Sequence, residues 1–532
     1  MMQNVEILVE MLEASGVRWV FGVPSGPVLA LMDALRRSSI DFVLTASESS
    51  AGFMAATVGH LTGAPGVCVA TVGPGATNLT TGIGAAWLDR APALAITCNV
   101  ATPWLDRRIQ MRIDHQALFR PLTKATFGLR TDNLVESVAE ALRIALAEPP
   151  GPVHLDLPED VSIAEAAQRS TPRQAALATT EPIGDVAEAV AAALAGARRP
   201  LLVTGLGITR SAAAGSLLAF AEQQHLPFVT TMHAKGWLPE SHPNWCGVVG
   251  RARRTDVQRF VNQTDLILAV GFDPIEINYE EWAGATPVVH VSTETADNAG
   301  AINFVANRAV ALDDAIRALA ALPPTSNDWQ PHDFATHRAT FDRALRAPSA
   351  GFPLHEVLDL LRARLPHDAI LAYDVGAHTH QIASQWRTDL PDTALGTNGW
   401  SSMGFGMPAA YAAKLVHPDR HVVAIVGDGG FQMTAGELAM ARRLGLRVPV
   451  IVLNDGWLGL MKVKQERRKL PSYGVELGEP PPPPTHYFGV PCRGAANGEE
   501  LADALEWAFG LDGPSVIEAR IDAEAYSQTV YD

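Results

Sequence analysis

Residues Val423–Gln432, "VAIVGDGGFQ", run from four apolar positions into a glycine turn that holds one acid, Asp428. A short apolar run closed by glycine reads as a strand covered on both faces, and a strand-to-helix turn after it marks a unit of a parallel sheet. The bare backbone of Gly427, Gly429 and Gly430 suits a phosphate cradle, with the next helix, "TAGELAMARRLG" (434–445), turning its amino-terminal dipole toward the anion. A carboxylate in that cradle would repel phosphate unless a cation lay between them. Magnesium takes one or two carboxylates plus phosphate oxygens, so Asp428 implies a metal. The next apolar run, "VPVIVL" (448–453), ends in "NDGW". Adjacent parallel strands finish on the same side, which puts Asn454 beside Asp428 with the Gly456 carbonyl as a third ligand.

Outward from this turn, β-rich runs alternate with alanine-rich amphipathic stretches, the pattern of parallel sheets flanked by helices. Three blocks emerge, so the fold class expected is α/β, with three doubly wound parallel-sheet domains at 1–165, 185–325 and 353–532. The first has "WVFGV", "DFVLTA", "GVCVATV", "ALAITC" and "PVHLDL"; the second "PLLVTGLG", "LPFVTTM", "DLILAVG" and "PVVHVST"; the third "AILAYDVG", "HVVAIVGDGG", "VPVIVLND" and "PSVIEARI". The polar tract 164–182 reads as a linker, and "EPPPPP" (479–484) as an extended surface connection. The length of 532 residues and the 47% apolar content fit packed domains, and the net charge of -16 argues against nucleic acid and anionic membranes as partners. The four cysteines lie far apart with no metal-type spacing, and no signal peptide or membrane-length apolar run is evident. A cytoplasmic protein is expected.

Glycine-rich turns at 72–78 and 204–208 carry little alone, because a strand-to-helix turn needs glycine whether or not it binds anything. A GDG followed some two dozen residues later by asparagine is more specific, and here the chain resembles the thiamine diphosphate-dependent enzymes. The resemblance covers nearly the whole chain and is closest to the acetolactate synthase, benzoylformate decarboxylase and pyruvate oxidase group. It implies a pyrimidine-binding domain first, a central Rossmann-like domain second and a diphosphate-binding domain last. It also implies thiamine diphosphate held through Mg2+ by Asp428, Asn454 and Gly456, and a homodimer or homotetramer with active sites shared between subunits.

The same resemblance assigns further residues. "DFVLTASESSAGFMAATVGHLTG" (41–63) gives a strand, a turn and a small-residue helix. Glu48 at that turn aligns with the glutamate that hydrogen-bonds the aminopyrimidine and relays the proton whose removal activates C2; on the sequence alone, Glu48 equally suits a helix amino terminus. In "GWSSMGFGMPAA" (399–410), Met403 stands where a large apolar residue supports the thiazolium, with the Ser401 carbonyl toward the pyrimidine; core filling is the plain alternative for a methionine. "YDVGAHTHQ" (373–381) resembles the turn that approaches the diphosphate, making Gly376 and His378 candidates, although His378 suits a hydrogen-bonded surface role as well.

The reaction implied is addition to a 2-oxo acid donor, loss of carbon dioxide and coupling of the resulting enamine to a carbonyl acceptor, as in a carboligase. A non-oxidative 2-oxo acid decarboxylase is the alternative within the family, and a catalytically inactive nucleotide-binding regulatory protein the alternative outside it. The "FQE" of acetolactate synthases is replaced by "QMR" (110–112), the tandem histidines of pyruvate-type decarboxylases are absent, and Thr71 stands near the benzoylformate decarboxylase histidine. Substrate candidates are Gly26, His115, Leu460 and Lys464. His115 sits in a polar turn that also suits a structural histidine. Leu460 and Lys464 fall one turn apart on a helix expected over the site, where the lysine would meet a substrate carboxylate or simply be solvated. The central block raises FAD, with "MHAKGWLPESHP" (232–243) in the expected place. Ser292 stands where many relatives carry an acid, so FAD is admitted but not favoured.

Overall fold

A computed structural model of the chain describes residues 2–166, 182–277, 282–297 and 302–530. The first sheet holds β1 (Trp19–Gly22), β2 (Asp41–Leu44), β3 (Gly66–Ala70), β4 (Ala93–Asn99), β5 (Ala125–Gly128) and β6 (Pro152–Pro158), in the order β2-β1-β3-β4-β6-β5. The second holds β7 (Pro200–Thr204), β8 (Phe228–Thr230), β9 (Trp245–Val248), β10 (Leu266–Val270), β11 (Val288–Ser292) and β12 (Phe304–Ala309), in the order β12-β11-β10-β7-β8-β9. In the third, β13 (Ile370–Tyr373), β14 (Ala394–Leu395), β15 (Val422–Gly427), β16 (Pro449–Asn454), β17 (His486–Tyr487), β18 (Val490–Ala495) and β19 (Ser515–Arg520) run β14-β13-β15-β16-β19-β18-β17. Every pairing is parallel except β17 with β18.

Three doubly wound α/β sheets are therefore present. The second has the Rossmann order, with its switch point between β7 and β10. The first and third share a different order and differ only by the antiparallel edge strand β17. Every residue of β3, β4 and β6 is buried, as a strand covered by helices on both faces requires.

The first and third sheets share one apolar core. The Glu48–Thr62 helix packs on the Gly406–Val416 helix, with Phe53 edge-on to Phe405 at 5.7 Å between ring centroids. On its other side the Glu48–Thr62 helix meets the Pro74–Leu88 helix closely enough that a Cβ on Gly52 would lie 2.7 Å from the Gly82 Cα. The second core extends past 325, because Phe334, Phe341 and Leu345 of the Pro331–Leu345 helix belong to it.

Two local expectations are corrected. The helix after β15 begins at Asp428 and runs to Thr434, ahead of a separate Glu437–Arg443 helix, so the acid is itself the first helical residue. The strands β5, β9, β12, β14, β17 and β18 are not among the expected runs, being short or broken by glycine, proline or polar residues. Residues 167–181, most of the expected linker, lie outside the described residues. Among the described residues no helix is long and apolar enough to cross a membrane.

Candidate active site

A cavity of about 390 Å³ opens at the carboxyl ends of β13, β15 and β16. Its wall brings together Gly376, His378, Ser401, Met403, Gly427, Asp428, Gly429, Gly430, Leu460 and Lys464. Sequence positions some 90 residues apart meet here because parallel strands deliver their following loops to one edge.

Asp428 is 8% exposed, and its two carboxylate oxygens accept from the Gly429 and Gly456 N–H groups, each at 2.8 Å. Burial pushes its carboxyl above the ordinary range. Asp455 lines the same cavity, and burial together with the Asp428 charge lifts it to about 7. Two neighbouring carboxylates, one buried and one half-buried, are the chemistry of a cation site. Asn454 donates its side-chain nitrogen to Glu518 at 3.2 Å, so its amide oxygen is the atom that could face a cation; the Tyr487 hydroxyl donates to Glu518 in turn at 2.6 Å. The Gly456 carbonyl accepts from the Leu477 N–H at 2.7 Å and retains a second lone pair. An all-oxygen donor set of carboxylate, amide and carbonyl fits magnesium. Among the described residues no three His, Cys, Asp or Glu side chains form a metal cluster by themselves.

His378 bounds the glycine turn: a Cβ on Gly427 would lie 3.2 Å from its ring. Burial pushes the imidazole down to about 4, so it is neutral, and its Nε2 has no hydrogen-bond partner among the described residues. A buried unpartnered nitrogen marks a place for a polar ligand group, and the bare glycine backbone beside it offers N–H groups to an anion.

Asp374, which sequence reasoning passed over, organises the opposite wall. Its carboxylate accepts from Val375, Gly404 and Phe405 N–H groups at 2.8 to 3.1 Å, binding the Ser401–Phe405 loop to the β13 turn. Burial nevertheless raises it to about 6. Ser401 and Gly404 adopt positive φ of 50° and 91°, the bend that carries Met403 toward Gly429, where a Cβ would come 3.0 Å from Met403 Cε. An acid at the end of β13, two residues before Gly376, was the available signal.

Glu48, Gly26 and His115 do not line this cavity. Glu48 is 8% exposed at the start of its helix, accepts from Asn78 Nδ2 at 3.2 Å, and follows a turn whose Ala46 and Ser47 N–H groups donate to the buried Glu437 carboxylate. His115 is fully buried; it pairs with Thr97 Oγ1 at 2.9 Å and accepts from Gly73 N–H at 3.3 Å, holding the glycine turn after β3. Gly26 opens a short helix after Ser25, whose hydroxyl bonds Thr71 Oγ1. These residues form a second edge, at the carboxyl ends of β1, β2 and β3.

At the switch point of the second sheet a cavity of about 500 Å³ includes Gly207, Gly271 and Ser292. Beside it, the buried Glu276 carboxylate accepts from Leu206 N–H at 2.7 Å and Thr231 Oγ1 at 2.5 Å. The backbone donor that a dinucleotide diphosphate would use at this turn is thus taken by an internal anion. Arg90 crosses the same region to Asp273 and Glu294, at 2.9 and 2.7 Å. In the expected flavin segment, Lys235 is paired with Glu240 in the core at 2.8 Å.

Comparison with known proteins agrees with this layout. Residues 2–118 match the model of the thiamine pyrophosphate enzyme N-terminal TPP binding domain, 187–319 its central domain and 374–519 its C-terminal TPP binding domain. The chain is 31% identical to a probable acetolactate synthase large subunit of Methanocaldococcus jannaschii, covering 98% of this chain and 93% of the relative. It is 31% identical to the acetolactate synthase isozyme 1 large subunit of Escherichia coli (98% and 94% covered) and 32% identical to an acetolactate synthase of Mycobacterium bovis (98% and 88%).

Proposed function

The chain belongs to the thiamine pyrophosphate enzymes, in the acetolactate synthase group, and from that premise we propose that it is a thiamine diphosphate- and Mg2+-dependent carboligase that decarboxylates a 2-oxo acid and couples the remainder to a carbonyl acceptor. One observation carries the reading: the buried Asp428, the orphan His378 nitrogen and Met403 line a single cavity at the strand ends. Bound thiamine diphosphate supplies a carbon nucleophile that adds to the keto carbon and holds the electron pair when carbon dioxide leaves.

This chain's residues have separable tasks in that reading. Asp428, Asn454 and the Gly456 carbonyl would hold Mg2+, and Gly376 with Gly427, Gly429 and Gly430 would admit the diphosphate against backbone N–H groups. His378 would border it as a neutral ring. Met403 and the Ser401 carbonyl would face the rings, and Leu460 and Lys464 the substrate. Glu48 would exchange a proton with the pyrimidine nitrogen, from the edge that also carries Gly26 and His115. Because that edge is outside the cavity of its own chain, the reading requires at least a dimer. Domain limits of 1–165, 185–325 and 353–532 are kept, with the Pro331–Leu345 helix added to the second. The Glu276 carboxylate favours an enzyme without FAD.

The test is carbon dioxide release from a panel of 2-oxo acids, with thiamine diphosphate and Mg2+ supplied or withheld, and product analysis in the same tubes. Cofactor-dependent release with hydroxyketone product is expected. Aldehyde product with every acceptor would make the protein a decarboxylase, and no release from any acid despite measured cofactor binding would overturn the 2-oxo acid assignment.

A further inference from the structure

Asp455 follows β16 and borders the cavity beside Asp428. Its Oδ1 accepts from the Trp457 N–H at 2.8 Å, which closes the turn around Gly456. A second partner comes from far along the chain: the Tyr526 hydroxyl, a donor at neutral pH, hydrogen-bonds the same carboxylate. Tyr526 is 3% exposed and lines the cavity itself. Gly459 leaves room for the ring, because a Cβ there would lie 3.2 Å from Tyr526 Cε2 and 3.4 Å from Asp455 Oδ2. The segment that carries Tyr526 is tied down on both sides. Ahead of it, the Asp522 N–H donates to the Phe352 carbonyl at 2.8 Å. Behind it, the Arg253 N–H donates to the Thr529 carbonyl at 2.8 Å and the Arg253 guanidinium to the Gln528 carbonyl at 3.0 Å, and Val530 is fully buried. The hydroxyl is therefore in place before a cofactor arrives.

A carboxylate between Asn454 and Gly456 in sequence is a competitor for the cation that they and Asp428 would hold. Magnesium keeps near-ideal octahedral geometry, so a further carboxylate takes a position that the diphosphate must fill. It also sets a like charge beside the diphosphate. We infer that Tyr526 is a positioning residue for the cofactor: its hydroxyl, with the Trp457 N–H, holds the Asp455 carboxylate out of the coordination sphere and leaves positions on the cation open to the diphosphate. This rests on the Mg2+ and thiamine diphosphate reading above and adds a residue to it.

The experiment measures thiamine diphosphate affinity by calorimetry at saturating Mg2+, and metal affinity without cofactor by electron paramagnetic resonance of Mn2+, with melting temperature verifying the fold of each variant. Tyr526→Phe removes only the hydroxyl. It should weaken thiamine diphosphate about tenfold, the scale of losing a partner that orients a metal site, while Mn2+ alone binds more tightly because the freed carboxylate can reach it. A loss of structure would weaken both. Asp455→Asn keeps the acceptor for the Trp457 N–H but not the charge, so it should bind the cofactor at least as tightly as the natural protein. In that background Tyr526→Phe should change cofactor affinity by less than about twofold, since the group it acts through is gone. Unchanged cofactor affinity in Tyr526→Phe overturns the inference, as does equal or weaker Mn2+ binding, or a penalty that persists beside Asp455→Asn. Weaker cofactor binding by Asp455→Asn alone would make Asp455 a ligand and overturn it too, and this arm decides should Tyr526→Phe fail to fold. A natural protein that binds no thiamine diphosphate with any metal fails the cofactor reading on its own. The Mn2+ comparison then decides whether Tyr526 holds Asp455 off a cation.

Discussion

His233 joins the three parts of the chain, and its titration makes a quantitative prediction. The imidazole is 9% exposed, with Nε2 3.4 Å from Asp89 and Nδ1 3.4 Å from Glu276. Asp89 follows the Pro74–Leu88 helix and also accepts from the Asn398 and Gly399 N–H groups at 3.2 and 2.8 Å, so its charge fixes the stretch leading to Ser401. Burial alone would push the imidazolium down; the two carboxylates more than reverse this and lift it to about 10. A folded-state value above the unfolded one contributes stability that is complete below about pH 6.5 and lost as the pH rises through about 10. At about 1.4 kcal/mol per unit the ceiling is roughly 5 kcal/mol. Contacts of 3.4 Å are long for charge-assisted hydrogen bonds, so about 2–3 kcal/mol is expected. Thermal unfolding between pH 6.5 and 10 should show wild type losing on the order of 5–10 °C through this group, at about 2–4 °C per kcal/mol for domains of roughly 150–250 residues. His233→Gln leaves two buried carboxylates without their cation and should melt well below wild type at pH 7, by about 3–5 kcal/mol, with the gap closing toward pH 10. Parallel curves for the two proteins across that range would refute the ion-pair account.

Three substitutions test the cavity. Asp428→Ala should weaken Mg2+ and thiamine diphosphate binding together, by about a hundredfold or more on the loss of a carboxylate ligand; unchanged cofactor affinity by calorimetry would remove the metal assignment. Glu48→Gln keeps the size and hydrogen-bonding capacity of the side chain but not its proton chemistry, so cofactor affinity should hold within a few-fold while turnover and C2–H exchange fall about 10²–10⁴-fold. Retained exchange measured by NMR would count against it. In Gly430→Ala the new Cβ would stand 2.0 Å from the Asp374 carboxylate, which must then release the Gly404 and Phe405 N–H groups, at about 2–4 kcal/mol of stability. A protein that melts and binds cofactor like wild type would show that the Asp374 clamp is dispensable.

The parts legible in the sequence were those whose signal is local. Central strands such as Val422–Gly427 and Pro449–Asn454 are continuous β-branched runs because helices cover both faces of the sheet, and the acid inside a glycine turn stands out for electrostatic reasons. Several edge strands gave no such signal: Phe304–Ala309 is half-exposed and Ala394–Leu395 is two residues long. Asp374 and the Asp89–His233–Glu276 chain were hidden for a different reason. Each is an ordinary polar residue in its own segment and acquires a role only when loops from different sheets meet, and no periodicity records that meeting. The helix starting at Asp428 rather than beyond it was missed because two consecutive glycines argue against helix by propensity. Crowding against Asp374, Met403 and Leu458 leaves no room for larger residues there.

The separation of Glu48 from the cavity has a consequence that can be measured without knowing the substrate's identity in advance. If catalysis needs Glu48 and Asp428 at one site, and one chain keeps them on different edges, two chains must supply them. The edge that carries Glu48 is bordered by exposed apolar side chains, Leu29 at 61% and Leu44 at 41%, and the cavity side by Met433 at 63% and Met461 at 38%, surface that association would cover. In a two-fold dimer each interface is used twice, so a chain carrying Glu48→Gln paired with a chain carrying Asp428→Ala contains one site with both substitutions and one with neither. Each variant alone should be inactive. Coexpressed in equal amounts with random pairing, half of the dimers are mixed and half of their sites intact, so activity should return to about a quarter of wild type. Complete failure to complement, with mixed dimers verified by mass spectrometry, would mean that both residues act within one chain and would refute the shared site.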